Sequence, residues 1–146
     1  MSSMLKPADR EVILARLRRL DPTARARWGR FTAPQMVAHL SDALRVAVGE
    51  TQAARRDPVL SRTLAKWLVV YTPMQAPRGR IQTAPEMLRS NPTSWETDLA
   101  TCESLVRRLV ETQTRAVHPA FGPLSHAGWG RLTWKHFDHH LHQFGV

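Results

Sequence analysis

The 146-residue chain contains one cysteine, Cys102, and no long apolar run. A single cysteine cannot form an internal disulfide, and it excludes zinc modules that need several thiolates. No stretch approaches the roughly 18–20 apolar residues that a membrane-spanning helix needs, and the first residues lack the features of a secretory signal. We therefore expect a soluble cytoplasmic protein in which Cys102 is a buried, inert thiol and any metal is held by histidine and oxygen ligands.

Acidic residues are also few: the chain has 12 Asp and Glu but 21 Lys and Arg, which gives a formal net charge of +9. Such an excess can indicate binding to nucleic acid, a membrane surface or an acidic ligand. The basic residues form no single block, however, and few aromatic residues are interleaved with the densest stretch, residues 16–30. We interpret them as a solvated surface and expect no membrane or nucleic-acid partner, with nucleic-acid binding through residues 16–30 as the open alternative.

Alternating strand patterns are absent, whereas helical periodicity recurs along the chain. Apolar residues return every three or four positions in five segments, residues 8–20, 32–49, 58–71, 93–113 and 126–144. The first segment places four residues on its predicted buried face: Val12, Leu14, Leu17 and Leu20. The predicted fold is all-α, an antiparallel four-helix bundle with an additional N-terminal helix and short connecting helices, in a single domain over residues 1–146.

Capping signals mark the predicted beginnings of four helices, one of them a short helix that begins at Thr83, with Glu86 three residues later. Thr32 followed by Gln35 matches a capping box, and Thr93 followed by Glu96 is interpreted in the same way. Ser125 is predicted to cap the last helix.

Four of the seven histidines lie within residues 136–142, in the last predicted helix. His136 and His140 are four residues apart, so on a helix their side chains share one face, with Cβ atoms roughly 5–6 Å apart. His139 and His142 point away from that face. Two imidazoles at this spacing can bind one divalent ion, although the same pair could belong to a polar, solvated helix end.

His39 is the candidate third ligand, because it lies on the apolar face of the second predicted helix. An unpaired buried polar group costs about 1–3 kcal/mol, so the ring needs partners for its nitrogens. A metal shared with His136 and His140 would satisfy it, and so would a hydrogen bond within the core. Three residues are candidates to orient the ligand rings through their second nitrogens: Asp42, Asp138 and Gln143.

Two stretches, TAPQMVAHLSDAL and HPAFGPLSHAGWGRLTWKHFDHHLHQFGV, carry a resemblance to a known family. The chain resembles the DinB-like superfamily of bacterial four-helix-bundle proteins, and in particular an uncharacterised subgroup with an HPxFG turn and a final HxxHHxxQFG helix. The resemblance extends from residue 28 to the end. It implies a mononuclear divalent metal held by His39, His136 and His140. Related families include thiol-dependent transferases and an isomerase, in which the metal activates a low-molecular-weight thiol.

Two hypotheses for function follow. In the first, the protein is a metal-dependent hydrolase or low-molecular-weight-thiol-dependent transferase, with zinc, nickel, iron or manganese at the three histidines, a small-molecule substrate and a thiol cofactor. His118 is then a candidate catalytic residue for proton transfer, since an unperturbed histidine has a pKa near 6.5; the simpler interpretation is a turn residue that bonds local backbone. In the second, the protein is a non-enzymatic ligand-binding or stress-associated module. A homodimer is one possible assembly.

Overall fold

The structure, a computed structural model, describes residues 1–54, 67, 69–72, 84–113 and 116–146. These residues are mostly helical, as predicted. They contain four α-helices, which we name α1 (Pro7–Arg19), α2 (Ala33–Ala47), α3 (Trp95–Glu111) and α4 (His126–Gln143). A short 3-10 helix, Pro85–Met87, precedes α3, and residues 67 and 69–71 are also helical. Most of the helix predicted for residues 58–71 lies outside the described residues.

A small antiparallel hairpin between α3 and α4 was not predicted. Its strands are β1 (Val117–His118) and β2 (Gly122–Pro123). Each strand has only two residues, which is too short to produce an alternating pattern in the sequence. The hairpin depends on a side chain instead, because Nδ1 of His118 accepts the backbone N–H groups of Ala120 and Phe121 within the turn.

Two of the predicted helix caps are present, and a third, at Thr83, lies outside the described residues. The hydroxyl of Thr32 accepts the backbone N–H of Gln35, whose side chain accepts the N–H of Thr32, so the capping box of α2 is confirmed. The hydroxyl of Ser125 accepts the N–H of Gly128 at the beginning of α4. Both caps satisfy backbone donors that have no partner inside the helix, and they place the beginnings of the two helices that carry the candidate ligands.

The beginning of α3 differs from the prediction. Ser94, rather than Thr93, is the N-cap, and its hydroxyl accepts the backbone N–H of Thr97. Thr93 lies one residue farther out, where its hydroxyl and backbone N–H both donate to the carboxylate of Asp98. The predicted box between Thr93 and Glu96 was therefore wrong, since Asp98 provides the returning carboxylate.

The buried face of α1 is rotated slightly from the predicted one. Leu14, Leu17 and Leu20 are buried as expected, but Val12 is 56% exposed and Ile13 is fully buried in its place. The helix period itself places Val12 about 140° from Leu17, and contacts with α4 hold the face of Leu17 inwards. The indole Nε1 of Trp134 donates to the carbonyl of Asp9, and Arg16 pairs with a carboxylate of α4 farther along.

The core lies around α2, which packs against α3 and α4, while α1 packs against α4. Because α2 is buried along nearly its whole length, even its polar residues His39, Ser41 and Asp42 are inaccessible to solvent. Cys102 faces this core from α3 and is fully buried, as predicted, and burial raises the pKa of its thiol to about 12. Among the described residues, no helix has the length and apolar character needed to cross a membrane.

Candidate metal centre

Three histidines meet where the middle of α2 passes the C-terminal half of α4. The Nε2 atom of His136 lies 2.9 Å from Nε2 of His39 and 3.1 Å from Nε2 of His140. The candidate ligand atoms of the three residues all lie within 4.8 Å of one another. His39 and His140 are buried, and His136 is partly buried. The structure thus brings together the three residues selected in the sequence, and they could hold one metal ion.

The spacing of the nitrogen atoms suits a shared ion. With metal–nitrogen distances near 2.0–2.1 Å, two ligands of a tetrahedral ion lie about 3.3–3.4 Å apart. Two of the three pairs here are 2.9 and 3.1 Å apart, and all three lie within 4.8 Å. Small movements of the imidazole rings would therefore bring the three nitrogens to coordination distances.

The hydrogen bond at the far side of His39 fixes its tautomer. Nδ1 of His39 lies 2.8 Å from the carbonyl oxygen of Met87, in the 3-10 helix. A carbonyl oxygen can only accept, so Nδ1 carries the proton and Nε2 of a neutral ring has a free lone pair. That lone pair faces the other two histidines.

A side-chain amide fixes the tautomer of His140 in the same way. Nδ1 of His140 lies 2.8 Å from Oε1 of Gln143, and Nε2 of Gln143 donates to the carbonyl oxygen of Trp28 at 2.6 Å. The contact with a carbonyl identifies the amide nitrogen, so Oε1 must be the acceptor and Nδ1 of His140 the donor. Nε2 of His140 therefore also presents a lone pair to the cluster.

These two tautomers favour a cation at the centre. A neutral His136 ring has at most one proton on Nε2, while both His39 and His140 offer acceptors to it. One N–H group cannot make two good hydrogen bonds to acceptors in different directions. A divalent ion would satisfy all three nitrogens at once, so the donor set fits a metal.

The chain around Gly29 holds Gln143 in place. A Cβ atom at Gly29 would lie 2.5 Å from Nε2 of Gln143, and the φ of Gly29 is +79°, a conformation that favours glycine. The backbone N–H of Arg27 also donates to the carbonyl of Gln143 at 2.7 Å. Residues 27–29 therefore attach to the end of α4 and support the orientation of His140.

Phe31 shields one side of the cluster. Its half-buried ring stacks on His39 with centroids 5.2 Å apart and planes at 26°, and lies 5.9 Å from the ring of His140. An apolar ring at this place limits the access of water.

Burial keeps the three rings neutral. It lowers the pKa of His39, lowers the pKa of His140 to about 3, and holds the pKa of His136 well below its ordinary value, with the neighbouring histidines adding to the effect. Neutral imidazole is the form that binds a metal, so the rings are ready to coordinate near neutral pH.

The carboxylates proposed to orient the rings do not do so. Asp42 accepts the backbone N–H and hydroxyl of Ser90 and pairs with Arg45. Asp138 pairs with Arg16 at 2.6 Å. Of the three candidates only Gln143 bonds to a ligand ring. The carbonyl of Met87 does so as well, and no side-chain pattern could have revealed it, because the partner is a backbone atom 48 positions away.

His118 lies outside the three-histidine group. Because its Nδ1 accepts two backbone N–H groups, the ring proton is on Nε2. Its ring stacks on Phe121, with centroids 4.7 Å apart, and lies beside Trp129. Burial lowers its pKa to about 4, and its charge, when present, lowers the pKa of His136. A catalytic role for His118 stays a prediction, and the geometry leaves it an Nε2–H donor.

An open groove between the end of α2 and α3 is separate from the histidines. It is lined mainly by polar residues, and its two arginines, Arg45 and Arg108, both pair with Glu50. None of its lining residues belongs to the cluster. The histidine cluster is therefore the stronger candidate for chemistry.

Comparison with known proteins gives a family without an activity. No curated protein and no solved structure matches the chain. One family model, described as a protein of unknown function, matches residues 3–145. This match does not test the DinB-like resemblance, which stays a prediction. Since the match covers almost the whole sequence, the chain belongs to the DUF1569 family.

Proposed function

We propose that the protein is a metal-dependent enzyme, a hydrolase or a low-molecular-weight-thiol-dependent transferase, in which His39, His136 and His140 hold one divalent ion. The observation that carries the proposal is the pair of fixed tautomers. The carbonyl of Met87 and the amide of Gln143 each hold a proton on the outer ring nitrogen, so two lone pairs converge on Nε2 of His136. Zinc, nickel, iron and manganese all accept imidazole ligands.

Three protein ligands are more typical of a catalytic metal site than of a structural one. Structural zinc sites are usually closed by four protein ligands, whereas catalytic sites keep a position open. Among the described residues, the group that could hold an ion contains three histidines and no carboxylate or thiolate. Such an ion can activate a water or a thiol that binds at its open position, or polarise a carbonyl group there.

The surrounding residues have their own roles in this proposal. Phe31 shields the rings of His39 and His140 from solvent on one side. His118 would donate a hydrogen bond from Nε2 to a bound small molecule. Cys102 takes no part, because it is buried on α3 and its thiol stays protonated. If a thiol reacts at this site, it must come from a cofactor.

The proposal includes a DinB-like four-helix bundle in the cytoplasm. α2 already contacts α3 and α4. The fourth member would be the helix predicted for residues 58–71, which is tied to α4 because Nζ of Lys135 donates to the carbonyl oxygens of Val69 and Thr72. α1 would then be the additional N-terminal helix.

Metal analysis tests the proposal most directly. Protein purified without chelator should contain one divalent ion per chain, and His140→Ala should lose it. His142→Ala is the matched control, because it removes an exposed imidazole from the same helix two positions away. Wild-type protein that contains no metal, takes up none of the four candidate metals and has unchanged stability in chelator would refute the proposal.

Activity then distinguishes an enzyme from a ligand-binding module. The metal-loaded protein can be screened with low-molecular-weight thiols and electrophilic acceptors, and with simple esters and amides. Turnover that His39→Ala abolishes supports the enzyme. Tight ligand binding without turnover would support the non-enzymatic module instead.

A further inference from the structure

Acidic residues are absent from the chain segments that build the candidate metal centre. Residues 22–41, which lead into α2 and include His39, contain no Asp or Glu, and neither do residues 112–137 and 139–146, which include His136 and His140. The chain as a whole has 12 acidic residues, so this absence is a feature of the site and not of the composition. Asp21 and Glu111 lie at the ends of these segments farthest in sequence from the candidate ligands and are exposed, whereas the acidic residues closer in sequence to the ligands or their partners are neutralised or inaccessible. Asp42 pairs with Arg45, Asp138 pairs with Arg16, and Glu86 is buried.

Two arginines just before α2 form no ion pair with any residue that the structure describes, unlike several arginines elsewhere in the chain. Arg16, Arg18, Arg45 and Arg108 each pair with a carboxylate. Arg27 and Arg30 are exposed, and neither has an ion pair with any carboxylate in the part of the chain that the structure describes. Their guanidinium groups are therefore available to an anion from solution.

These two arginines alternate with the residues that contact the cluster. Trp28 accepts a hydrogen bond from Gln143, which orients His140, and Phe31 stacks on His39. Arg27 donates its backbone N–H to Gln143, and its guanidinium lies against Gly145, just beyond α4. Arg30 adjoins Phe31, so its backbone is one residue away from a ring that covers the ligands. Both arginines are thus held beside the site by the same loop.

From this placement we propose that the candidate metal centre acts on an anionic small molecule, one that bears a carboxylate or phosphate group bound by Arg27 and Arg30. This inference rests on the proposed function, because the ion adds two positive charges to three neutral ligands. Guanidinium groups bind carboxylate and phosphate through paired N–H donors. A site whose surroundings have one sign of charge also concentrates ligands of the opposite sign.

Anion binding to the cobalt-substituted protein tests the inference without an assay of activity. Cobalt(II) replaces the resident ion, and its visible absorption reports ligands that enter the open position. Acetate, inorganic phosphate and neutral imidazole are titrated separately, so that the first two distinguish carboxylate from phosphate. The R27Q/R30Q double variant should bind the preferred anion about tenfold more weakly, as expected from the loss of a charge-assisted hydrogen bond. Its affinity for imidazole should stay within about twofold, because a neutral ligand gains nothing from the arginines.

The control is R19Q, which removes an exposed arginine of α1 that has no ion pair among the described residues; it should bind both anions as wild type does. Equal anion affinity in the wild type and the double variant would overturn the inference. Unchanged imidazole binding in the same experiment would show that the metal site is intact. Failure of the wild type to bind cobalt would refute the proposed function as well. Duplex DNA binding that is lost in R27Q/R30Q, with acetate and phosphate binding unchanged, would assign the arginines to nucleic acid and also overturn the inference.

Discussion

A Cβ atom at Gly29 would lie 2.5 Å from the amide nitrogen of Gln143, which is too close for any side chain. That amide nitrogen donates to Trp28, and the amide oxygen of the same group holds the proton on Nδ1 of His140. A glycine in the loop before α2 is therefore linked, through one side chain, to the orientation of a candidate ligand on α4.

Gly29→Ala should weaken metal binding about tenfold, because the methyl group displaces Gln143 and frees the ring of His140. Gly49→Ala is the control. Gly49 has nearly the same φ, +82°, but its Cβ would meet nothing within 4 Å. Both variants should lose about 1 kcal/mol of stability or somewhat more from backbone strain, and only Gly29→Ala should lose metal affinity. Competition with a chromophoric chelator measures that affinity, and equal affinities in the two variants would contradict the link.

Substitutions at Gln143 should separate metal affinity from stability. Gln143→Leu removes both hydrogen bonds and should reduce metal affinity by about 10–100-fold. Gln143→Glu keeps an acceptor for Nδ1 of His140 but places a carboxylate against the carbonyl of Trp28. It should therefore bind metal at least as tightly as wild type while unfolding at a lower temperature. Calorimetry of the apo proteins and chelator competition measure the two quantities, and a loss of metal affinity in Gln143→Glu equal to that of Gln143→Leu would exclude the orienting role.

The apo protein should lose stability as the pH falls below about 6.5. Burial lowers the pKa of His140 to about 3 and that of His118 to about 4, compared with about 6.5 in the unfolded chain. The unfolded state therefore binds these protons first. The stability that depends on the neutral rings is fully present above about pH 6.5 and is lost as the pH falls towards about 4 and 3, with a slope of at most about 1.4 kcal/mol per pH unit for each histidine.

Urea unfolding in the presence of chelator, between about pH 7.5 and 5.5, measures this slope. His118→Gln should reduce this slope, because it removes one of the rings whose pKa is lowered in the folded protein. A slope that His118→Gln leaves unchanged would show that the ring takes up its proton without opposing folding.

Asp138→Asn should destabilise the fold and leave the metal centre intact. Asp138 is buried and pairs with Arg16 at 2.6 Å, but it bonds to none of the three ligand rings. Loss of its charge leaves the guanidinium of Arg16 poorly compensated and should cost about 1–3 kcal/mol in the free energy of unfolding. Metal affinity should remain within about twofold of wild type. A loss of metal affinity as large as that of Gln143→Leu would restore the orienting role first predicted for Asp138.

Local patterns predicted the helices that carry the candidate ligands. The capping box at Thr32 and the cap at Ser125 depend on contacts between residues three apart, so they could be inferred without knowing the fold. Two local predictions were nevertheless wrong. Val12 is exposed because the helix period places it about 140° from Leu17. Thr93 is not a cap because Asp98, five residues farther along, accepts its hydroxyl.

Some features of the candidate metal centre follow from local sequence, and others depend on the tertiary structure. The sequence by itself determined that His136 and His140 share a face, because their four-residue spacing matches the period of the helix. Only the tertiary structure decided that His39 meets them and that their lone pairs point inwards. The carbonyl of Met87, which orients His39, lies 48 positions from it in the chain. Gln143 bonds His140 only three positions away, but its amide is held by the carbonyl of Trp28, 115 positions away. Such contacts depend on how helices and loops pack together, and packing distances do not follow from spacing along the chain.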